Sequence, residues 1–248
     1  MVRYAKRGKM RFASHRDVAR AFERGVRRAG LPIAYSSGFS PHPKISYAGG
    51  APTGVASEAE YLTIALTSQR AADQVREQLD AVLPDGIDVV DVTETGADGA
   101  PEASVWRVVL PGVRPDVAAR AVAGFLAMTE APVERLTDKG VRRMDARVAV
   151  REMAVLDPSD EPDRRVAVTG CQDCAILRMV VLHMAPAVRP EDVLSALSAA
   201  QGLVPSSPPL TTRLAQLWPG QDRPEEGRLE LSQPEQGSRD PLTGKTVS

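Results

Sequence analysis

The chain has 248 residues, 43% hydrophobic and 25% charged, which suits one large domain or two small ones and excludes wholesale disorder. Its formal net charge of −1 hides an asymmetry: the first fifty residues hold eleven Lys or Arg against two acids, a net of +9, and the other 198 carry −10. Two cysteines are too few for a disulfide framework or a self-contained iron–sulfur site, no GxxxxGK[ST] loop occurs, and no apolar segment has the form of a secretory signal or the length of a membrane span. A soluble cytoplasmic protein is therefore expected, with no cofactor, metal site or membrane partner, and with an anionic partner for its basic end.

Residues 3–12 read as a basic strand or hairpin interrupted at Gly8. A helix follows, with Ser14 as N-cap and Asp17 at the N3 position of a capping box, and Gly30 and Pro32 stop it. At 100° per residue, Val18, Ala19, Phe22, Val26 and Ala29 share one arc. Arg16, Arg20, Arg24 and Arg27 share another, with Arg28 at its edge. Residues 31–44 form a turn-rich loop, and residues 45–48 a short strand. Leu62, Ile64 and Leu66 alternate with Tyr61, Thr63 and Ala65 as in a half-buried strand. A helix over 70–83 and a strand over 87–92 complete a βαββαβ order.

Residues 95–103 read as a linker. The order then recurs: a strand at 105–110, then a helix opened by Pro115 and carrying Val117, Ala121, Phe125 and Met128. Strands at 133–136 and from 141 flank an Asp138-Lys139-Gly140 turn. A strand at 175–184, a helix at 190–200 and a strand at 210–217 follow, with 142–170 unassigned. The fold expected is α+β, a tandem pair of ferredoxin-like (βαββαβ) units with antiparallel sheets. Its boundaries fall at 1–96, 97–218 and a disordered C-terminal tail at 219–248, which is polar, carries four Pro and lacks apolar periodicity.

The arginine stripe is the strongest chemical signal. Five like charges on one face repel, and like charges at i,i+4 cost a helix a few tenths of a kcal/mol each. Phosphate would offset that repulsion, because guanidinium groups bind its oxygens bidentately and release counterions. Lys139, Arg142, Arg143 and Arg147 add positive charge around the second hairpin. Of three histidines, His15 would open the first helix, and His42 is held stiffly between Pro41 and Pro43, ahead of Lys44. His183 reads as a satisfied core histidine on a strand face. Cys171-Gln172-Asp173-Cys174 is a lone CxxC; turn geometry is favoured there over metal or redox chemistry, since a zinc site needs about two more ligands.

Four runs carry a family resemblance: Phe12-Ala13-Ser14-His15-Arg16-Asp17, Phe22-Glu23-Arg24 with Arg27-Arg28-Ala29-Gly30-Leu31-Pro32, Tyr35-Ser36-Ser37-Gly38-Phe39-Ser40-Pro41-His42-Pro43-Lys44, and Gly54-Val55-Ala56-Ser57-Glu58-Ala59-Glu60-Tyr61-Leu62. Together they resemble the DUF2344 family, the radical SAM-linked proteins. Lys139-Gly140 and Asp145-Ala146-Arg147 resemble its later elements. The resemblance implies a radical SAM protein as partner, and gene neighbours concerned with RNA and ribosomes. It does not imply radical SAM chemistry here, which takes a three-cysteine CxxxCxxC motif. Arg16 departs from the family, which usually has an apolar residue there.

Three functions are expected to compete. The first is an RNA-binding adaptor, in which Arg16, Arg20, Arg24, Arg27, Arg28, Lys44, Lys139 and Arg147 meet phosphate and Tyr35 and Phe39 stack on bases. The second is a metal-independent RNA-processing enzyme with His15 and His42 as its acid–base pair. The third is an interaction module docking its arginine face on an acidic protein.

Overall fold

Apolar residues in alternate positions make Val2–Lys6 a strand (β1) that buries Val2, Tyr4 and Lys6. Gly8–Phe12 then forms a 3₁₀ turn rather than a second strand. Gly86 holds this turn tightly: its φ is +86°, and a Cβ there would lie 2.7 Å from the Arg7 carbonyl oxygen, so only glycine fits. The computed structural model describes residues 1–94, 99–138, 140–156 and 174–220. The expected linker residues 95–98 and the tail from 221 lie outside the described residues.

The first helix, His15–Arg28 (α1), opens on the expected capping box. The Asp17 N–H donates to Ser14 Oγ, and the Ser14 N–H donates to Asp17 Oδ2 at 3.1 Å. Its buried side is Val18, Ala21, Phe22, Gly25 and Val26. Ile45–Ala48 (β2), Ala56–Ile64 (β3), Ala72–Asp80 (α2) and Ile87–Val92 (β4) follow. Strands β4, β1, β3 and β2 lie in that order, each antiparallel to its neighbour.

The second half opens with Ala103–Pro111 (β5) and Pro115–Leu126 (α3). Pro132–Thr137 (β6) and Gly140–Asp145 (β7) come next, then the short Ala146–Ala149 (α4) and Val150–Leu156 (β8). Cys174–Leu182 (β9), Pro190–Gln201 (α5) and Leu210–Leu217 (β10) complete it. Here β10, β5, β9 and β8 lie side by side, again antiparallel. The fold is α+β with one mixed, mostly antiparallel sheet, continuous from β4 to β8 because β3 and β10 pair in parallel through Thr212↔Ala56 and Arg213↔Ser57.

The second half differs from the sequence expectation in the strands that build its sheet. The 133–136 and 141 strands form a separate two-stranded sheet, β6–β7. The strand beside β9 is instead β8, from within residues 142–170, where the sequence pattern assigns no element. The hairpin docks on α5 because Arg135 Nη1 sits 2.5 Å from Asp192 Oδ2 and Arg135 Nη2 donates to the Ala187 carbonyl.

Two apolar clusters lie under the helices. One gathers Val2, Phe22, Val26, Leu62 and Leu79, the other Trp106, Phe125, Leu177, Val193 and Leu197. Among the described residues, no helix is long and apolar enough to cross a membrane.

Candidate functional site

The arginine face is built as its periodicity requires. Arg16, Arg20, Arg24, Arg27 and Arg28 are all exposed. None makes an ion pair among the described residues. Asp17, one turn from Arg20, has its carboxyl held below the usual carboxylate range, first by hydrogen bonds from Ser14 and then by Arg20 and Arg16.

Other N-terminal basic groups are used internally. Arg7 is bound between Glu58 on β3 and Asp88 on β4, Lys6 is buried, and Arg11 lies 4.6 Å from the centre of the Phe12 ring. The basic end therefore presents less free charge than its sequence count, and what remains is concentrated on α1.

An arm runs from α1 to β2. Its two sides pair through a Tyr35↔Pro43 bridge, the Lys44 N–H on the Ala34 carbonyl and the Ser36 N–H on the His42 carbonyl. The His42 N–H donates to Ser36 Oγ at 3.1 Å, closing the tip. Tyr35, Phe39, His42 and Lys44 are exposed, Phe39 completely.

At the N-terminal end of α1 is a cleft of about 270 Å³. It is lined by Tyr4 and Lys6 from β1, His15 and Val18 from α1, Tyr47 from β2, the segment 49–51 and Glu60 from β3. The His15 and Tyr47 rings meet edge to face with centroids 5.0 Å apart. A methyl group placed on Gly50 would stand 3.5 Å from His15 Nδ1 and 3.7 Å from Glu60 Oε2, so the absence of a side chain there keeps the cleft open.

Behind the cleft is a buried charged junction between the halves. Arg213 Nη1 donates to Glu60 Oε1 at 3.2 Å and to the Gly49 carbonyl at 2.6 Å. Glu60 Oε2 accepts from the Ala51 N–H, and Gln216 Nε2 donates to the Ala59 carbonyl. Lys6 Nζ reaches the carbonyls of Ala51 and Pro52 at 3.2 and 3.4 Å. Burial pushes both Lys6 and Arg213 below their usual basic ranges, and Glu60 opposes the shift in each. Burial raises the Tyr4 and Tyr47 hydroxyls, so both stay protonated at neutral pH.

The structure brings His15 into this cleft and leaves His42 in the arm, off its lining. Arg147 is engaged locally: its guanidinium donates to the Leu126 and Val150 carbonyls while Asp145 caps α4. Lys139 lies outside the described residues, as does Cys171, and Cys174 begins β9. His183 follows β9, with Nδ1 2.7 Å from the Pro101 carbonyl oxygen and Nε2 2.8 Å from Ser104 Oγ. It is satisfied as expected, but at a strand end rather than on a core face.

Sequence reasoning missed Lys6, Tyr47, Gly50, Glu60 and Arg213. The signal was present for two of them. Lys6 continues the Val2, Tyr4 alternation and Glu60 precedes Leu62 and Ile64 in phase, so each puts a charge in the core series of its strand, and Tyr4 is paired with Glu60 across β1–β3.

One family, described as "Uncharacterized protein conserved in bacteria (DUF2344)", matches residues 1–190. No curated protein matches the chain.

Proposed function

The chain belongs to the DUF2344 family, and from that membership and the α1 surface we propose that it is an RNA-binding accessory protein that works beside a radical SAM protein. The carrying observation is the row of five exposed arginines on α1, none in an ion pair among the described residues. A single-stranded RNA would lay its phosphates along them, because that arrangement replaces mutual repulsion with bidentate pairing. The arm follows α1 directly, and its Tyr35 and Phe39 rings would stack on unpaired bases, with Lys44 on a neighbouring phosphate. The fold agrees with this use. We read the orders β4-β1-β3-β2 and β10-β5-β9-β8 as two ferredoxin-like units, the second interrupted by the β6–β7 hairpin. The radical SAM partner is inferred from the family resemblance of residues 12–62.

The test is fluorescence anisotropy with a labelled single-stranded RNA across a salt series. Affinity should fall linearly with salt on a log–log plot. Replacing Arg20 and Arg24 together by Ala should flatten the slope by about 1.4, roughly 0.7 for each single-strand phosphate that is no longer neutralised. A wild-type protein with no salt-dependent RNA affinity would overturn the reading.

A further inference from the structure

We propose that the cleft at the N-terminal end of α1 binds a small organic anion, a carboxylate or a phosphate monoester, through the Lys6 ammonium and the Tyr47 hydroxyl. The inference is independent of RNA binding by the arginine face.

Charge is the first argument. Lys6, Arg213 and Glu60 are 3%, 4% and 2% exposed, so the junction buries two cations against one anion. Glu60 is already committed, with one oxygen on Arg213 and the other on the Ala51 N–H. Lys6 has no carboxylate within ion-pair distance among the described residues. Its ammonium carries three donors, and among the described residues two carbonyls receive them, at the long distances of 3.2 and 3.4 Å. Buried cations are ordinarily paired, because an ammonium removed from water loses most of its solvation.

Hydrogen bonding is the second argument. Tyr47 stands on the wall of the same cleft, and its hydroxyl oxygen is shielded from solvent with no hydrogen-bond partner among the described residues. Buried hydroxyls are almost always bonded. Lys6 and Tyr47 therefore line one opening with donors to spare, and an oxyanion entering it, with the Tyr47 ring turned to admit it, would supply acceptors to both. It would also bring the junction to neutrality. A cationic ligand would meet Lys6 and Arg213, and a neutral one would leave the excess charge in place.

Size is the third argument. The opening of about 270 Å³ suits a small metabolite and not a folded polymer. Tyr4, Val18 and the His15 and Tyr47 rings supply apolar wall for the organic part of the ligand.

Isothermal titration of the full chain with inorganic phosphate, uridine 5′-monophosphate, pyruvate and neutral uridine tests the proposal. At least one anion should bind with one-to-one stoichiometry while uridine does not, and the phosphate and carboxylate probes tell the two chemistries apart. Lys6→Met should weaken binding by roughly tenfold or more, and Tyr47→Phe by about three- to tenfold. Gly50→Val, which fills the opening, should abolish binding with circular dichroism unchanged, and it carries the test if Lys6→Met does not fold. Arg20→Ala should change nothing here, which separates this site from the RNA surface. The proposal fails if no anion binds at millimolar concentration, if uridine binds as tightly as its monophosphate, or if folded Lys6→Met or Gly50→Val binds as the wild type does.

Discussion

Glu60 is the residue on which the two halves depend most. It is 2% exposed and sits between Arg213, Lys6 and the Ala51 N–H. Removing one partner of a buried pair leaves an uncompensated charge, so Glu60→Gln should lower the free energy of unfolding by about 3–5 kcal/mol, read from urea melts. A loss under about 1 kcal/mol would mean that water reaches the pair. His183 gives a second prediction. Burial pushes its imidazole below the usual range, Arg213 adds to the effect, and the Pro101 carbonyl opposes it. The folded state therefore binds fewer protons than the unfolded chain, whose histidine titrates near about 6.5. His183 contributes stability above that pH and loses it as pH falls through the lower folded value. Urea midpoints should drop between pH 7 and pH 5, and His183→Asn should flatten the drop. Both residues were visible in the sequence, but a lone charge in a strand's core phase declares burial without naming its partner. Arg213 lies 153 positions from Glu60, and only the parallel β3–β10 pairing joins them.

Elements were legible in proportion to how local their causes are. Helix α1 was recoverable from Ser14, Asp17 and a repeating apolar arc, all inside one segment. Ser14→Ala should cost about 1 kcal/mol in thermal or urea unfolding, because the Asp17 N–H is deprived of its side-chain acceptor. The same wheel places His15 within the apolar arc, between Phe22 and Val26, which is why it reaches Tyr47 while the arginines face out. Strands β6 and β7 were recognised as strands and misplaced as to sheet. Their pairing with each other is set by a short turn, whereas their exclusion from the main sheet depends on β8, which is drawn from farther along the chain. Arg135 and Asp192 then fix the hairpin to α5, an ion pair between residues 57 positions apart that no local pattern encodes.

At the scale of the whole molecule the question is whether two cores behave as one. The halves share a sheet through only two registered pairs of β3 and β10, yet that seam buries Ser57, Glu60, Arg213 and Gln216. Separating the halves would expose apolar strand edges and leave the Glu60–Arg213 pair unmade, so neither half gains by unfolding alone. Trp106 reports on the second half, since it lies in β5, 4.9 Å from the Arg213 guanidinium. Trp218 meets the Tyr61 ring of β3 edge to face across the seam, so it is silenced by Trp218→Phe and the fluorescence is read from Trp106 alone. Phe22 is fully buried in the first core, against Tyr4, in a cluster separate from the one that holds Trp106. Phe22→Ala should cost about 3–5 kcal/mol through reduced burial and the cavity left behind. If the seam couples the cores, tryptophan fluorescence will report that destabilisation in full, with its urea midpoint shifted as far as the circular dichroism midpoint and the slope unchanged. A tryptophan transition that stays at its wild-type midpoint while the helical signal moves would show two independent domains joined at an edge.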